Sequence, residues 1–154
     1  MIFISVVIIL GVYYSNLQTD IYEQYSLNEM HRKAISVSDT LVRTSGNPEF
    51  WNPSNVKVIG LFDSGKLNIT KFEQLKTMSY DIVKSMLGVG NYDLYLSVKN
   101  ESGQLIESGG ITYSFGSDLS NVKKAILIKR LGISEIEGEV KKIILEVILW
   151  IKEV

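Results

Sequence analysis

The sequence predicts an α+β fold in which one long N-terminal helix packs on a small antiparallel β-sheet head. Three observations carry that prediction: an uncharged opening run, a helical apolar period that continues from it toward Arg43, and an alternating apolar pattern over the last 60 or so residues. With 154 residues, 45% hydrophobic and 21% charged, the chain has room for one domain and an extension. The division expected is residues 1–44 as helix, with 1–17 as a membrane anchor, and 45–154 as an α+β head.

Met1 to Tyr14 (MIFISVVIILGVYY) contains no charged side chain. No Lys or Arg precedes Arg32 and no A-x-A-like cut site follows the run, so the segment reads as a retained anchor rather than a cleaved secretory peptide. Fourteen helical residues span only ~21 Å, short of the ~30 Å hydrocarbon core. Packing beside other helices, further residues upstream of Met1, or burial in a core would each answer that deficit. Asp20 and Glu23 follow the run without a basic cluster, which places the bulk of the chain outside the cell.

Apolar residues then recur at Leu10, Tyr14, Leu17 and Ile21, and again at Leu27, Met30, Ala34, Val37 and Leu41. Steps of three and four draw a helical face, but the phase slips between Ile21 and Leu27. The lower stripe is therefore free to serve a different neighbour from the upper one, which is expected to cover the sheet. Ser45-Gly46-Asn47-Pro48 ends the helix, because Gly accepts the left-handed cap and Pro disfavours helix at the residue before it. The next stretch, Pro48-Glu49-Phe50-Trp51-Asn52-Pro53, reads as a stiff loop with two aromatic anchors pinning helix to head.

Val56–Leu61 is predicted as a short strand, Lys71–Met78 and Tyr80–Leu87 as short helices, the second capped by Ser79 and Gly88. Tyr92, Leu94, Leu96 and Val98 alternate with Asp93, Tyr95 and Ser97, giving a strand with one wet face, followed by an Asn100–Gly103 turn and a return through Ile111, Tyr113 and Phe115. The C-terminus reads as a hairpin of Val122–Leu131 and Lys141–Lys152 around a Gly132–Glu139 connection. In its last strand Ile143, Leu145, Val147, Leu149 and Ile151 fill one face, while Ile144, Ile148 and Trp150 share the other with Glu146 and Lys152. Both faces call for cover: sheet core on one side, the upper helix on the other.

Candidate chemistry is thin. Sixteen basic and seventeen acidic side chains leave no basic footprint for nucleic acid. The absence of Cys removes disulfides, thiolate metal ligands and cysteine nucleophiles. Gly60-Leu61-Phe62-Asp63-Ser64-Gly65-Lys66-Leu67 nearly spells a phosphate loop, but Leu67 stands where a metal-binding Ser or Thr belongs, and an exposed β-turn is the better reading than a nucleotide site. His31, the one histidine, reads as a solvated helix residue. Glu135, Glu137 and Glu139 read as solvated turn charges, Asp81 and Asp93 suggest no shared site, and Lys123-Lys124 and Lys141-Lys142 read as edge-strand gatekeepers. No catalytic, cofactor or metal residue is assigned. Asn68-Ile69-Thr70 and Asn100-Glu101-Ser102 satisfy N-x-[ST], which makes Asn68 and Asn100 candidate N-glycosylation sites.

The run from Asn28 through Thr44-Ser45-Gly46-Asn47-Pro48-Glu49-Phe50-Trp51-Asn52 resembles the helix end and T-P-G-x-P-x-x-W loop of small archaeal envelope proteins grouped with class III signal peptides, which are type IV pilin-like. Val56-Lys57-Val58-Ile59-Gly60, Leu75 to Leu87 and Asn91 to Tyr95 are similar to the same group. The resemblance covers most of the chain and carries no catalytic residues. The basic-Gly cleavage point and the Gln- and Glu-containing start of that group's apolar run have no counterpart before Ile2-Phe3-Ile4. It implies a single-pass protein of the cell membrane with an extracellular head, whose anchor packs through Ile4, Ile8, Leu10 and Tyr14 against other pilin-like subunits or copies of itself, for assembly or adhesion. A monomeric membrane-tethered ligand-binding or sensor domain is the alternative, and it predicts a pocket in the head.

Overall fold

The computed structural model describes the backbone of residues 2–153 and the side chains of residues 13–153 other than Asn16 and Asp20. The first element, α1 (Ile2–Arg43), is one helix of 42 residues, roughly 63 Å at ~1.5 Å per residue. After it come β1 (Phe62–Asp63), β2 (Lys66–Leu67), α2 (Ile69–Thr77), α3 (Tyr80–Met86) and β3 (Asp93–Lys99). The chain ends with β4 (Glu107–Ser108), β5 (Ile111–Thr112), β6 (Ser114–Gly116), β7 (Val122–Ile136) and β8 (Glu139–Lys152). The α+β class stands, with one correction: the sheet is mixed. Its order is β1-β2-β7-β8-β3-β6, and β2 runs parallel to β7 while the other neighbours are antiparallel.

The upper stripe of α1 meets the sheet as its spacing requires. Met30, Ala34, Val37 and Leu41 are buried against a core that includes Ile143, Leu145, Val147 and Leu149 of β8 and Leu94, Leu96 and Val98 of β3. The register sets Leu94 opposite Leu149 and Leu96 opposite Val147, so these residues share one face. Ion pairs frame that apolar seam, with Arg130 Nη2 on Asp39 at 2.6 Å and Lys124 Nζ on Glu23 at 2.7 Å. The two short helices lie on the same side. Phe115, opposite Leu96, touches Tyr80 of α3, and Phe72 of α2 packs edge-on against Tyr113 with ring centres 5.8 Å apart. Helix cover is therefore confined to one face of β8; the sheet core and α1 do not flank opposite faces, as the apolar pattern of that strand had suggested.

The segment predicted as a strand at Val56–Leu61 makes one isolated bridge, Val58 with Asn47, and stays out of the sheet, because its backbone groups are taken elsewhere. Leu61 N donates to the Leu41 carbonyl at 2.9 Å, and Asn47 N to the Val58 carbonyl at 2.9 Å. Trp51 is the buried pin of this joint, its indole N–H on the Gly60 carbonyl at 2.9 Å. Phe50 is not a second anchor: it is 85% exposed. Lys71 closes the joint from α2, donating to the Ser45 carbonyl at 2.7 Å and to Asp63 at 2.5 Å. Asn68 caps α2, and Ser79 caps α3 as its sequence position indicates.

The C-terminal hairpin is longer than its sequence suggests. Strand β7 continues to Ile136 and the connection shrinks to Glu137-Gly138, both with positive φ (55° and 80°), the geometry of a two-residue hairpin turn. Gly132, which reads as a turn residue, lies inside the strand: a Cβ there would come within 2.6 Å of the Phe62 ring. It is a site of close approach.

Candidate functional site

Every described side chain of α1 from Tyr13 to Tyr25 is exposed, and burial begins only at Ser26 and Leu27. Except where Glu23 meets Lys124, this part of the helix stands clear of the head. At ~100° per residue, Tyr14, Leu17, Ile21 and Tyr25 share a face roughly 175° from the Met30–Leu41 stripe, so the phase slip in the sequence is a real change of side. Tyr14 is 65% exposed and Leu17, Ile21, Tyr22 and Tyr25 are exposed with it. Of the expected anchor residues, Ile4, Ile8 and Leu10 have side chains outside the described residues, and Tyr14 falls within this stripe. Tyr22 and Tyr25 were missed by sequence reasoning, because they lie where the apolar period is out of phase. Among the described residues no helix is long and apolar enough to cross a membrane.

Above the stripe the same face turns polar, with Tyr25, Asn28, Glu29, Arg32, Lys33 and Ser36 lining a groove of about 400 Å³. His31 is exposed on the helix beside it. The helix back thus offers an apolar and aromatic lower half and a charged upper half.

The outer face of the sheet is only partly wet. Ser97 and Glu146 are buried there, beneath a trough of about 440 Å³ lined by Tyr95, Lys99, Leu105, Asp118, Leu119 and Ile148. Burial by itself would raise the Glu146 carboxyl, but Lys99 Nζ at 2.6 Å and Lys129 Nζ at 3.2 Å outweigh it and hold the group below the usual glutamate range. A carboxylate kept ionised by two ammonium groups is poorly suited to donate a proton. Glu146→Gln is expected to cost about 2 kcal/mol at pH 7, the worth of hydrogen bonds to a charged group. Because the native pKa is depressed, that stabilisation is complete above the ordinary value of about 4.3 and is lost as pH falls through the lower native one. Melting curves should therefore separate the two proteins at neutral pH and converge in acid. Beyond the trough, Leu127, Leu131 and Ile133 leave apolar surface on the same face, Leu131 being 83% exposed.

The near-match to a phosphate loop is the β1–β2 hairpin, with Ser64 and Gly65 as an exposed two-residue turn. Glu137 of the acidic trio occupies the β7–β8 turn, and Glu135, Glu137 and Glu139 are all exposed. Among the described residues no group of three His, Cys, Asp or Glu could hold a metal ion. Asp93 serves the fold: Tyr80 donates to it at 3.0 Å, with Lys152 at 3.2 Å and Lys84 at 3.6 Å. The two N-x-[ST] asparagines fall apart in the fold, Asn68 between β2 and α2 and Asn100 at the end of β3. No family model, curated protein or solved structure matches the chain.

Proposed function

We propose that the chain is a membrane-anchored, pilin-like subunit of the archaeal cell envelope, held in the membrane by its opening apolar run with the head outside the cell, and that it works by packing rather than catalysis. The observation that carries this reading is the exposed Tyr14–Tyr25 stripe, turned away from the head that covers the other side of the same helix. A helix needs only one apolar face to dock on its own sheet. A second one, clear of the head, favours burial against a neighbouring helix or at the membrane boundary, where Tyr side chains suit a half-apolar, half-wet setting. The likeness to archaeal envelope proteins around Trp51 points the same way.

The chain has no cysteine, so single substitutions report contacts cleanly. In membranes of cells making the full chain, Leu17→Cys and Ile21→Cys are expected to give oxidative crosslinks between copies or to another subunit. Thr19→Cys, exposed on the opposite side of the helix, should not. Equal crosslinking at all three positions, or none at any, would count against subunit packing.

The alternative, a monomeric tethered ligand-binding domain, draws on the trough over Glu146. Its carboxylate is already neutralised by Lys99 and Lys129, which leaves little to recognise a ligand. Membrane fractionation with electron microscopy separates the two readings, since the first expects assemblies and the second dispersed protein.

A further inference from the structure

We propose that Asn100 is an acceptor for N-linked glycan and that Asn68, though it stands in an equally good sequence motif, is not. The inference rests on the extracellular placement of the head proposed above only for its occurrence in the cell. The choice between the two asparagines comes from the fold.

Asn68 is committed at both ends of its carboxamide. Its Oδ1 accepts the Lys71 N–H at 3.1 Å, capping α2, and its Nδ2 donates to Asp63 Oδ2 at 2.7 Å. Asp63 in turn is gripped by the buried Lys71, which also holds the Ser45 carbonyl at the end of α1. Ile69 and Thr70 are already the first residues of α2. A transferase that must seat the carboxamide and the hydroxyl two residues on in its own cleft would have to uncap the helix and break a charge-assisted bond first.

Asn100 is placed differently. Its backbone carbonyl accepts the Gly103 N–H at 2.9 Å in an exposed turn, and Glu101, Ser102, Gly103 and Gln104 are all exposed. The Oδ1 accepts the Gln104 N–H at 2.9 Å, and Nδ2 keeps only a 3.3 Å bond to the exposed Gln104 side chain. Nδ2 has two hydrogens, so substitution of one leaves the other for Gln104. The residue also borders two shallow grooves, one with Leu105, Glu137 and Lys142, the other with Val140 and Lys141. A sugar there has room, hydrogen-bonding neighbours and the exposed Leu105 and Val140 to cover.

The donor is a lipid-diphosphate-linked oligosaccharide. Asn100 Nδ2 forms a bond to the anomeric carbon as that carbon's bond to the phosphate oxygen breaks. The lipid diphosphate leaves with the electron pair, and one amide proton passes to base.

The test treats the folded full chain in detergent with a purified single-subunit oligosaccharyltransferase and such a donor, and reads both tryptic sites by mass spectrometry. Asn100 is expected to gain glycan mass and Asn68 to stay bare. Ser102→Ala should abolish the gain, and Thr70→Val, which destroys the other motif without removing the cap, should leave it unchanged. Transfer to Asn68, or none to Asn100, would overturn the assignment. A parallel measurement on chain from a glycosylating host distinguishes the two layers of the argument: transfer to Asn100 in the tube but not in the cell supports the acceptor and sinks the extracellular placement.

Discussion

Gly60→Ala is expected to break the joint between helix and head. A Cβ at Gly60 would overlap the Thr44 carbonyl oxygen and the Gly46 amide nitrogen. Neither is a side chain that can rotate away. Gly46 is itself hemmed in, since its own Cβ position falls against the Trp51 indole, so the backbone has no direction in which to retreat. Trp51 is fully enclosed and bonded to the Gly60 carbonyl, and displacing Gly60 would cost that bond as well. The loss expected is about 3 kcal/mol or more, at the upper end of overpacking effects and a large share of a small domain's stability. Gly88→Ala provides the contrast: open space surrounds it, its φ is +65°, and only the left-handed strain of about 1 kcal/mol applies. Thermal melts of the full chain in detergent, with limited proteolysis between Ser45 and Gly60, check both. Equal melting temperatures for the two variants would refute the steric account.

Ala34→Asp is expected to have an effect of similar size through a different cause. Ala34 has no exposed surface and lies in the centre of the α1 stripe that covers the sheet. A carboxylate there would be a buried charge without a partner, a change that costs about 4 kcal/mol in comparable settings. The same substitution at Gln24, exposed on the protruding half, should stay within about 0.5 kcal/mol. The pair of variants measures whether the two halves of one helix live in different environments. Should Ala34→Asp melt like the unaltered chain, α1 would not be seated on the sheet and the division into a docked half and a free half would fall.

Several parts of this architecture were legible in the residues. The Leu27–Leu41 spacing identified the docked face of α1, and the break at Ile21 marked where that face changes side. Ser79 announced its helix, and the alternation from Leu94 to Val98 identified the inward face of β3. These features are local, arising from the 3.6-residue and two-residue periods of backbone geometry. Errors arose where a residue's role depends on something distant in the chain. Gly132 looked like a turn because nothing nearby reveals that Phe62 packs against it. Val56–Leu61 looked like a strand because its pairing with the end of α1 leaves no trace in its composition. Ser97 looked solvated because alternation does not say which loops fold back over a sheet.

The same division applies to the candidate sites. The N-x-[ST] pattern placed Asn68 and Asn100 on equal terms, and the exposed Tyr22 and Tyr25 were indistinguishable from ordinary helix surface. By itself the sequence determined a long helix with two separate apolar stripes, an α+β class and the absence of cysteine chemistry, since each follows from composition or from a short-range period. Only the tertiary structure decided that β2 joins β7 in parallel, that Glu146 is neutralised by Lys99 and Lys129, and that Asn68 is tied to Asp63 while the Asn100 side chain bonds only to the exposed Gln104. Such pairings bring together residues up to 67 positions apart, and the free energy of a contact at that range depends on how the whole chain packs rather than on the residues at either end.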